Sequence, residues 1–335
     1  MSPPVLVAGE ALVDVVVEPD GSVVDRVPGG SPLNVAVGLS RLEVPTKLLT
    51  WYAEDADGAR ITAHLAASDV SVAPGSSRAA ATSVARAVLD ADRQARYEIA
   101  LTWDPPWVDP ARFSAVHVGS LGTVVEPGAT TVRALAGSAV EQGVPVSYDP
   151  NVRPALAGDP ARAWEAVRHD AALATVVKLS EDDADFLRPD VAVDDVLDLL
   201  LEGAQTRLAV LTLGAGGARL AVPGARVDVT APEVEVVDTV GAGDAFMAGL
   251  LAALYRSSRL VPGGQVAALC AGELRRLGEV AARVAALTCR RRGADPPRLD
   301  ELDAAGAPLR TLRARPGLRA VVPPERTAAP RETDL

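Results

Sequence analysis

The chain of 335 residues is poor in aromatic residues, which make up 3%, and in residues that form disulfides or bind transition metals. Its three histidines, His64, His117 and His169, are far apart and lack the spacing of metal ligands. The two cysteines, Cys270 and Cys289, stand in apolar, helix-like segments, so we expect buried thiols in a reducing compartment. These scarcities argue against a disulfide scaffold and a histidine metal centre, and they predict an aliphatic core.

Long apolar runs are also missing, and no uninterrupted run reaches the length of a membrane span. Near the N-terminus Glu10 and Asp14 interrupt the apolar segment and no basic leader precedes it, so we expect a first strand rather than a signal peptide. The formal net charge of −11 disfavours nucleic acid and anionic membranes as partners, because an acidic surface repels phosphate groups. The sequence therefore predicts a soluble, cytoplasmic protein that binds any anionic ligand through a local feature.

Short aliphatic runs alternate with longer amphipathic ones along most of the chain, and 48% of the residues are hydrophobic. This alternation is typical of βαβ units in a mostly parallel sheet with helices on both faces. The strand candidates are 5–17, 46–51, 115–120, 145–150, 174–180 and 207–214, and the helix candidates include 31–42, 130–143 and 194–203.

Two stretches, 21–30 and 81–101, alternate polar and apolar residues with a period of two. Strands with one solvated face suit a small antiparallel sheet projecting from the main domain. Such a sheet could cover a site as a lid or simply extend the edge of the main sheet, and its uncovered edges make pairing across a homodimer plausible. From about Asp303 the sequence is rich in Pro, Arg and Ala without a sustained period, which predicts a mobile tail.

The usual sequence motifs for nucleotide binding are absent: there is no G-x-x-x-x-G-K-[ST] and no G-x-G-x-x-G. Instead, residues 238–254 read DTVGAGDAFMAGLLAAL, in which a glycine-rich loop leads into an apolar helix. A bare backbone at a helix N-terminus can bind an anion through its free N–H groups. Asp244 at this point has two interpretations, since an aspartate there can cap the helix or accept a proton in a reaction.

Six segments in order resemble the signatures of the ribokinase-like (pfkB) sugar kinases, closest to the fructokinase branch. They are Asp238-Thr-Val-Gly-Ala-Gly-Asp244, Gly29-Gly30-Ser-Pro-Leu-Asn34, Gly9-Glu-Ala-Leu-Val-Asp14, Asp149-Pro-Asn-Val-Arg153-Pro, Val177-Lys-Leu-Ser180 and Leu211-Thr212-Leu-Gly214. The resemblance spans residues 5 to about 298. It implies a three-layer α/β/α domain over residues 1–302 with inserted lid strands at about 11–28 and 81–103, followed by the tail 303–335.

The resemblance also implies roles for the glycine-rich loop. Asp244 would take the proton from the attacking sugar hydroxyl, and the amides of Gly241, Ala242 and Gly243 would form an anion hole for the transferring phosphoryl group. Phosphoryl transfer depends mainly on positioning and charge stabilisation, which suits such a loop. We expect the helix N-terminus to lower the pKa of Asp244 and keep it ionised.

Further roles follow from the same resemblance for residues outside the loop. Asp14, Gly30 and Asn34 would bind sugar hydroxyls, since a carboxylate and an amide suit vicinal diols, and Arg153 would contact a phosphate or an anionic part of the substrate. The residues implied for the nucleotide are Lys178, Ser180, Thr212, Gly214 and Gly217, with a helix over 273–290 beside the adenine. Tyr97, Glu98 and Trp103 are lid candidates only by their place in the period-two stretch.

One departure concerns the metal. Many relatives have Asn-x-x-Glu where this chain has Ser180-Glu181-Asp182-Asp183. Both replacements are shorter, so Asp183 is an outer-shell candidate for Mg²⁺ that Glu181 or Asp182 could share.

The resemblance implies an ATP-dependent kinase of a small sugar, with Mg²⁺ and a monovalent cation such as K⁺ as candidate ions. Fructose is the first choice of substrate, a 2-keto-3-deoxy sugar acid the second, and ribose and nucleosides follow. A non-catalytic regulator that responds to sugar or nucleotide is the alternative from another class. Asp244 and its glycine-rich loop favour the enzyme, because a binding protein has no chemical need for them.

Overall fold

The structure is a computed structural model, and it describes residues 3–89, 95–306 and 309. The strands are β1 (Val5–Ala8), β2 (Leu12–Val17), β3 (Val23–Gly29), β4 (Thr46–Leu49), β5 (Ser71–Val72), β6 (Val84–Leu89), β7 (Ala95–Ala100), β8 (Ala115–Gly119), β9 (Val146–Asp149), β10 (Val176–Ser180), β11 (Leu208–Thr212), β12 (Ala218–Val222) and β13 (Ala225–Val229). The helices are α1 (Ser31–Arg41), α2 (Ala56–Ala66), α3 (Gly128–Glu141), α4 (Pro154–Ala157), α5 (Pro160–Ala171), α6 (Glu181–Leu187), α7 (Val193–Leu201), α8 (Ala242–Arg256), α9 (Ala271–Cys289) and α10 (Leu299–Ala304).

Nine strands form a large sheet in the order β13-β12-β11-β10-β9-β8-β1-β4-β5. All neighbouring pairs are parallel except β11–β12 and β12–β13, which are antiparallel. The carboxyl ends of the parallel strands therefore lie along one edge of the sheet, which is where ligands bind in open α/β sheets.

The large sheet is covered on both faces, as the alternation of strands and helices predicts. Along β1, Val5 and Val7 belong to one core cluster, while Leu6 and Ala8 belong to the other, because successive side chains of a strand point to opposite faces. The first cluster includes residues of α1, α2, α8, α9 and α10, and the second includes residues of α3, α5, α6 and α7. The three-layer α/β/α prediction is confirmed.

A separate sheet of four strands, which we call the small sheet, has the order β3-β2-β6-β7. Its presence confirms the prediction made from the period-two stretches, but the expected all-antiparallel pairing is wrong. Strands β2 and β6 run parallel, whereas β2–β3 and β6–β7 are antiparallel hairpins. The two hairpins are joined through their first strands, which leave the main domain in the same direction.

Several predicted boundaries need correction. The single strand expected over 5–17 is two strands in different sheets, because the chain leaves the large sheet after Ala8 and enters the small sheet at Leu12. The apolar helix expected after the glycine-rich loop is α8, which begins inside that loop at Ala242, and the helix expected over 273–290 is α9, Ala271–Cys289. The cysteines are free, but Cys270 is exposed and Cys289 is only partly buried, so the prediction of two buried thiols is wrong.

The predicted tail, 303–335, lies mostly outside the described residues. Its first residues continue α10 to Ala304, and Leu309 is buried in the first core cluster. Within the described ranges, no helix has both the length and the apolar character of a membrane-spanning segment.

Candidate active site

Most of the sequence-predicted site residues lie at the carboxyl edge of the large sheet. Lys178 and Ser180 are on β10, Thr212 ends β11, and Arg153 follows β9. Ser180 and Thr212 are register partners on adjacent strands, so their side chains end side by side. Asp244 is presented to the same group of residues by the first turn of α8.

Asp244 is 7% exposed, and each of its carboxylate oxygens accepts a hydrogen bond from α1. The Ser31 hydroxyl donates to Oδ1 at 2.6 Å, and the Asn34 amide donates to Oδ2 at 2.8 Å. A cap would accept from the backbone N–H groups of its own helix. The side chain of Asp244 instead bonds to a second helix, so its contacts are not those of a helix cap.

The expectation that the helix N-terminus lowers the pKa of Asp244 is wrong in sign. Burial raises the pKa above the ordinary value, and this effect is larger than the opposing hydrogen bonds from Ser31 and Asn34 and the positive charges of Lys178 and Arg153. Removing a carboxylate from water costs more than these partners return. A raised pKa suits a group that must take up a proton.

The glycine-rich loop has a different requirement at each glycine. Gly241 has φ +74°, and a Cβ there would stand 2.5 Å from Ala294 Cβ, so packing and backbone geometry both demand glycine. At Gly243 the nearest heavy atom to an added Cβ is Lys178 Nζ at 3.8 Å, an ordinary contact. Packing alone would thus accept alanine at Gly243. The amide of Ala242 already donates to Thr239 O at 3.1 Å.

A buried ion pair lies beneath this loop. Lys178 Nζ donates to Asp149 Oδ2 at 2.8 Å, and the side chains are 4% and 1% exposed. Burial raises the pKa of Asp149 to about 6 although Lys178 opposes the shift, while the surrounding carboxylates of Asp149, Asp183 and Asp244 raise the pKa of Lys178 against its burial. Asp149 Oδ1 is buried without a hydrogen-bond partner. The pair places a fixed positive charge directly behind Gly243.

Ser180 and Asp183 begin α6 as a reciprocal cap. The Ser180 hydroxyl accepts from Asp183 N at 3.0 Å, and Asp183 Oδ2 accepts from Ser180 N at 2.9 Å. Asp183 Oδ1 accepts from Val152 N at 2.8 Å, which fastens the loop after β9 to α6. These bonds account for the positions of both residues, and the described residues contain no cluster of three or more side chains suited to a metal ion.

Asp14 and Gly30 lie where the small sheet joins the main domain. Asp14 is on β2, and its pKa is raised because partial burial outweighs the opposing charge of Arg153. A Cβ on Gly29 would be 2.2 Å from Asp14 Oδ2, and a Cβ on Gly30 would be 2.6 Å from Glu10 O. Glycine is therefore required at Gly30, where φ is +111° and the neighbour is backbone, whereas at Gly29 the Asp14 side chain could move aside.

Arg153 is exposed, and its guanidinium donates to Asn151 O at 3.0 Å. Burial raises the pKa values of Glu10, Asp14 and Asp244, and the charge of Arg153 opposes each of these shifts. The structure therefore brings the predicted anion-binding cation and the predicted proton acceptor into one electrostatic cluster.

Glu10 is a buried acid that the sequence analysis assigned no role. Its Oε2 accepts from Gly122 N at 2.9 Å, and burial raises its pKa to about 7 despite hydrogen bonds from Ser120 and Gly122. Ser120 has φ +51°, which is unusual for a residue with a side chain. Glu10 thus holds the strained turn after β8 against the end of β1.

The predicted nucleotide residues beyond β10 form a turn after β11. The Thr212 hydroxyl donates to Leu179 O at 3.4 Å, a weak bond. Gly214 has φ +52° with open space around it, and Gly217 has φ +97° with its α-carbon so close to β13 that a Cβ would meet Val229 O at 2.0 Å. Gly217 is required by packing, whereas Gly214 is required by its backbone conformation.

The three residues considered for the lid lie in different environments. Trp103 is 2% exposed, belongs to the second core cluster, and donates from Nε1 to Gly122 O at 2.9 Å, so its proposed place on the lid is wrong. Glu98 is exposed on β7. The side chain of Tyr97 lies outside the described residues.

Sequence reasoning missed three residues of this site: Glu10, Ser31 and Asp149. Each stands inside a quoted motif. Glu10 comes two residues after the buried strand β1 and Asp149 ends the buried strand β9, and these positions were a usable signal. Ser31 gave no such signal, because its partner Asp244 is distant in the sequence.

Comparison with known proteins gives a consistent result. Residues 4–301 match the family model of the pfkB family carbohydrate kinases. The fructokinase of Klebsiella pneumoniae is 32% identical over 263 residues, which are 76% of this chain and 85% of that protein. A Vibrio cholerae fructokinase double mutant, solved with fructose, ADP and potassium ion, superposes with a TM-score of 0.72 at 27% identity over 90% of this chain and 97% of that one. The aminoimidazole riboside kinase of Salmonella enterica, solved with aminoimidazole riboside and an ATP analogue, superposes with a TM-score of 0.73 at 25% identity. The match covers 90% of this chain and 99% of that one.

Proposed function

Since the chain belongs to the pfkB family of carbohydrate kinases and is an ATP-dependent sugar kinase, we propose that it phosphorylates fructose with Asp244 as the general base. The observation that carries the proposal is the buried Asp244 carboxylate at the N-terminus of α8, with Lys178 behind the adjoining Gly243. A base, a bare helix terminus and a fixed positive charge together suit the transfer of a phosphoryl group to a hydroxyl.

In the proposed reaction a sugar hydroxyl oxygen bonds to the γ-phosphorus of ATP while its proton passes to the Asp244 carboxylate. The bond between the γ-phosphorus and the bridging oxygen of ADP breaks, so that the products are a sugar phosphate and ADP. The amides of Gly241 and Gly243 and the ammonium of Lys178 stabilise the charge on the transferring group, and the amide of Ala242 joins them when it exchanges its bond to Thr239 O for one to the phosphoryl group. Asp14, Gly30 and Asn34 bind the sugar hydroxyls.

Thr212, Gly214 and Gly217 are proposed to line the nucleotide, beside Ser180 and α9.

Mg²⁺ enters with the nucleotide as Mg·ATP. Both oxygens of Asp183 accept backbone N–H groups, yet each keeps a lone pair for a water of the metal shell. This fits an outer-shell role better than direct coordination. We also propose that K⁺ raises turnover. The test compares kcat in potassium chloride with kcat in tetramethylammonium chloride.

The first test replaces Asp244 by Asn. The new amide can donate to the Ser31 hydroxyl and accept from Asn34, so the fold should persist. We expect kcat to fall by about 10²–10⁴-fold, because the proton acceptor is lost, while the KM values and the melting temperature change little. Near-normal turnover in Asp244→Asn would reject Asp244 as the base.

The sugar itself is the second question, and a turnover screen with fructose, 2-keto-3-deoxy sugar acids, ribose and nucleosides answers it. Arg153→Gln sharpens the screen. If the substrate carries a carboxylate, this variant should raise its KM by about tenfold or more, since a charge-assisted contact is lost. With fructose the KM should change much less. Preferred turnover of a sugar acid or a nucleoside would replace fructose in the proposal.

We further propose that the small sheet acts as a lid and as the contact surface of a homodimer. Among its described side chains, Val23, Val24 and Val27 of β3 and Ile99 of β7 are apolar and exposed, and exposed apolar side chains suit a surface that another one covers. Sedimentation equilibrium of the wild type and of a Val24→Glu/Val27→Glu variant tests this. A dimer that the substitutions convert to a monomer is expected, and a wild-type monomer at all concentrations rejects it.

A further inference from the structure

Ser31 is the first residue of α1 and is 7% exposed. Its hydroxyl donates to Asp244 Oδ1 at 2.6 Å, the shorter of the two hydrogen bonds that this carboxylate accepts from α1. A hydroxyl bonded to a carboxylate at this distance makes a charge-assisted hydrogen bond. None of the sugar-binding roles considered above uses Ser31.

The orientation of an aspartate carboxylate is weakly determined by its own torsion, because the terminal χ2 of Asp is broad. Donors on both oxygens remove this freedom. Asn34 bonds Oδ2 and Ser31 bonds Oδ1, so the plane of the Asp244 carboxylate is fixed from one side by α1.

We propose that Ser31 is a positioning residue for phosphoryl transfer, whose hydroxyl orients the Asp244 carboxylate to receive the proton of the sugar. This rests on the proposed function, in which Asp244 is the general base. The segment Gly30–Asn34 accordingly has two tasks, since it binds the sugar and holds the base that deprotonates it. Sugar and base are thereby aligned by the same helix start.

The simpler explanation is that the Ser31 hydroxyl only ties α1 to α8. The two helices are in extensive contact, and Gly38 of α1 approaches Ala248 of α8 so closely that a Cβ would be 2.6 Å from its side chain. A tie of this kind would affect the melting temperature and leave the pH dependence of turnover unchanged. The two explanations therefore predict different measurements.

The pH dependence follows from the groups around Asp244. Lys178 on β10 and Arg153 after β9 lower its pKa, Asp149 on β9 interacts with it as a like charge, and burial raises its pKa. The Ser31 hydrogen bond favours the ionised form. Removing that bond raises the pKa of Asp244, and the acidic limb of the kcat profile should move to higher pH because the base must be ionised.

The experiment measures kcat, both KM values and the kcat–pH profile of the full chain for Ser31→Ala. We expect kcat at neutral pH to fall by about tenfold and the acidic limb to move up by about one pH unit, with the sugar KM within twofold. Ser31→Thr, which keeps a hydroxyl, should restore the position of the limb and most of the turnover.

Ser68→Ala is the matched control, because the Ser68 hydroxyl is also buried and accepts a hydrogen bond at 3.0 Å from a charged group, Arg41 Nε, at the opposite end of α1 from Ser31. Ser68→Ala should leave the acidic limb of the kcat–pH profile at its wild-type position. In the Asp244→Asn background Ser31→Ala should produce no further loss of kcat, since no carboxylate remains to be oriented.

An unshifted limb in Ser31→Ala, or an equal loss of kcat in Ser68→Ala, overturns the inference while the collapse of Asp244→Asn leaves the proposed function standing. An additive loss in the double variant also overturns it. Near-normal turnover of Asp244→Asn would instead remove the proposed function and this inference together.

Discussion

At the carboxyl edge of the large sheet charged side chains are buried, whereas on the small sheet apolar side chains are exposed. Glu10, Asp149, Lys178 and Asp244 are all less than a tenth exposed, yet Val24 of the small sheet is 56% exposed. Both regions depart from the ordinary distribution of residues, in opposite directions.

The two departures have different costs. A buried charge must be neutralised, paired or hydrogen-bonded, so the carboxyl edge contains partners for nearly every such group, such as Lys178 for Asp149. An exposed valine costs little in the folded monomer and matters when another surface covers it. We infer that the carboxyl edge is fixed in advance for chemistry, and that the small sheet is suited to movement or association.

The largest effect is expected for Lys178→Met, which tests whether the buried charges of the carboxyl edge depend on their partners. This variant leaves Asp149 buried without its cation. We expect the free energy of unfolding to fall by about 3–5 kcal/mol at pH 8. The loss should be smaller at pH 5, where Asp149 can take up a proton. Denaturant unfolding at both pH values measures this.

Adding Asp149→Asn to Lys178→Met is the control, since it removes the unpaired charge and should recover part of the stability. An equal loss at pH 5 and pH 8, with no recovery in the double variant, would contradict the assignment of a buried ion pair.

Glu10→Gln tests a second buried acid through the pH dependence of the free energy of unfolding. The folded state raises the pKa of Glu10 from 4.5 to about 7. The folded state therefore binds more protons than the unfolded state between these values, and stability falls as pH rises from 4.5 to 7. Gln cannot ionise, so the variant should lose this slope, which amounts to a difference on the order of 3 kcal/mol across the window.

The measurement is denaturant unfolding at intervals from pH 4 to pH 8, and kinetics are not needed. Asp149, with a pKa of about 6, contributes a slope of the same sign that should remain in the variant. A wild-type stability that rises with pH over this window, unchanged in Glu10→Gln, would show that Glu10 is ionised in the folded state.

Gly243→Ala sharpens the comparison by separating stability from chemistry. Packing leaves room for the new Cβ, and alanine is favoured over glycine within a helix, so we expect the protein to gain about 0.5–1 kcal/mol in stability. If the phosphoryl group lies against this residue, kcat should nevertheless fall by about 10²-fold through misplacement.

Gly241→Ala is the matched comparison, because its φ of +74° and the approach of Ala294 make alanine destabilising there. Unfolding curves and steady-state kinetics of both variants decide the matter. Full activity in a stabilised Gly243→Ala protein would argue against an anion hole at this loop.

The smallest expected effect concerns the ion pair that joins the two regions. Arg26 of β3 donates from Nη1 to Asp57 Oδ1 at 2.8 Å and to Oδ2 at 2.6 Å, and Asp57 is at the start of α2. Because the pair is partly solvated, Arg26→Gln should cost less than about 1 kcal/mol. We expect faster hydrogen exchange in β3 and a weaker slowing of exchange in Val84–Leu89 when sugar is added.

Arg60→Gln is the control, since Arg60 pairs with the same Asp57 from within α2 at 3.7 Å. It should leave exchange in the small sheet unchanged. Exchange in Val84–Leu89 that sugar does not slow in the wild-type protein, although sugar binds, would reject the lid.

How far the sequence could be interpreted depended on the range of the interaction involved. The period-two stretches predicted the small sheet because alternation is a local property, but the parallel pairing of β2 with β6 is decided between segments far apart in the chain. Trp103 was misplaced for a similar reason. Its position next to the strand pattern suggested the lid, whereas contact with Gly122 and the second core buries it.

The sequence by itself determined the alternation of strands and helices, the glycine-rich loop before α8 and the positions of the motif residues, since each depends on neighbours along the chain. The tertiary structure alone decided that Ser31 and Asn34 meet Asp244, that Lys178 lies behind Gly243, and that burial raises the pKa of Asp244 rather than lowering it. A local pattern specifies a helix terminus, but desolvation depends on everything packed around it.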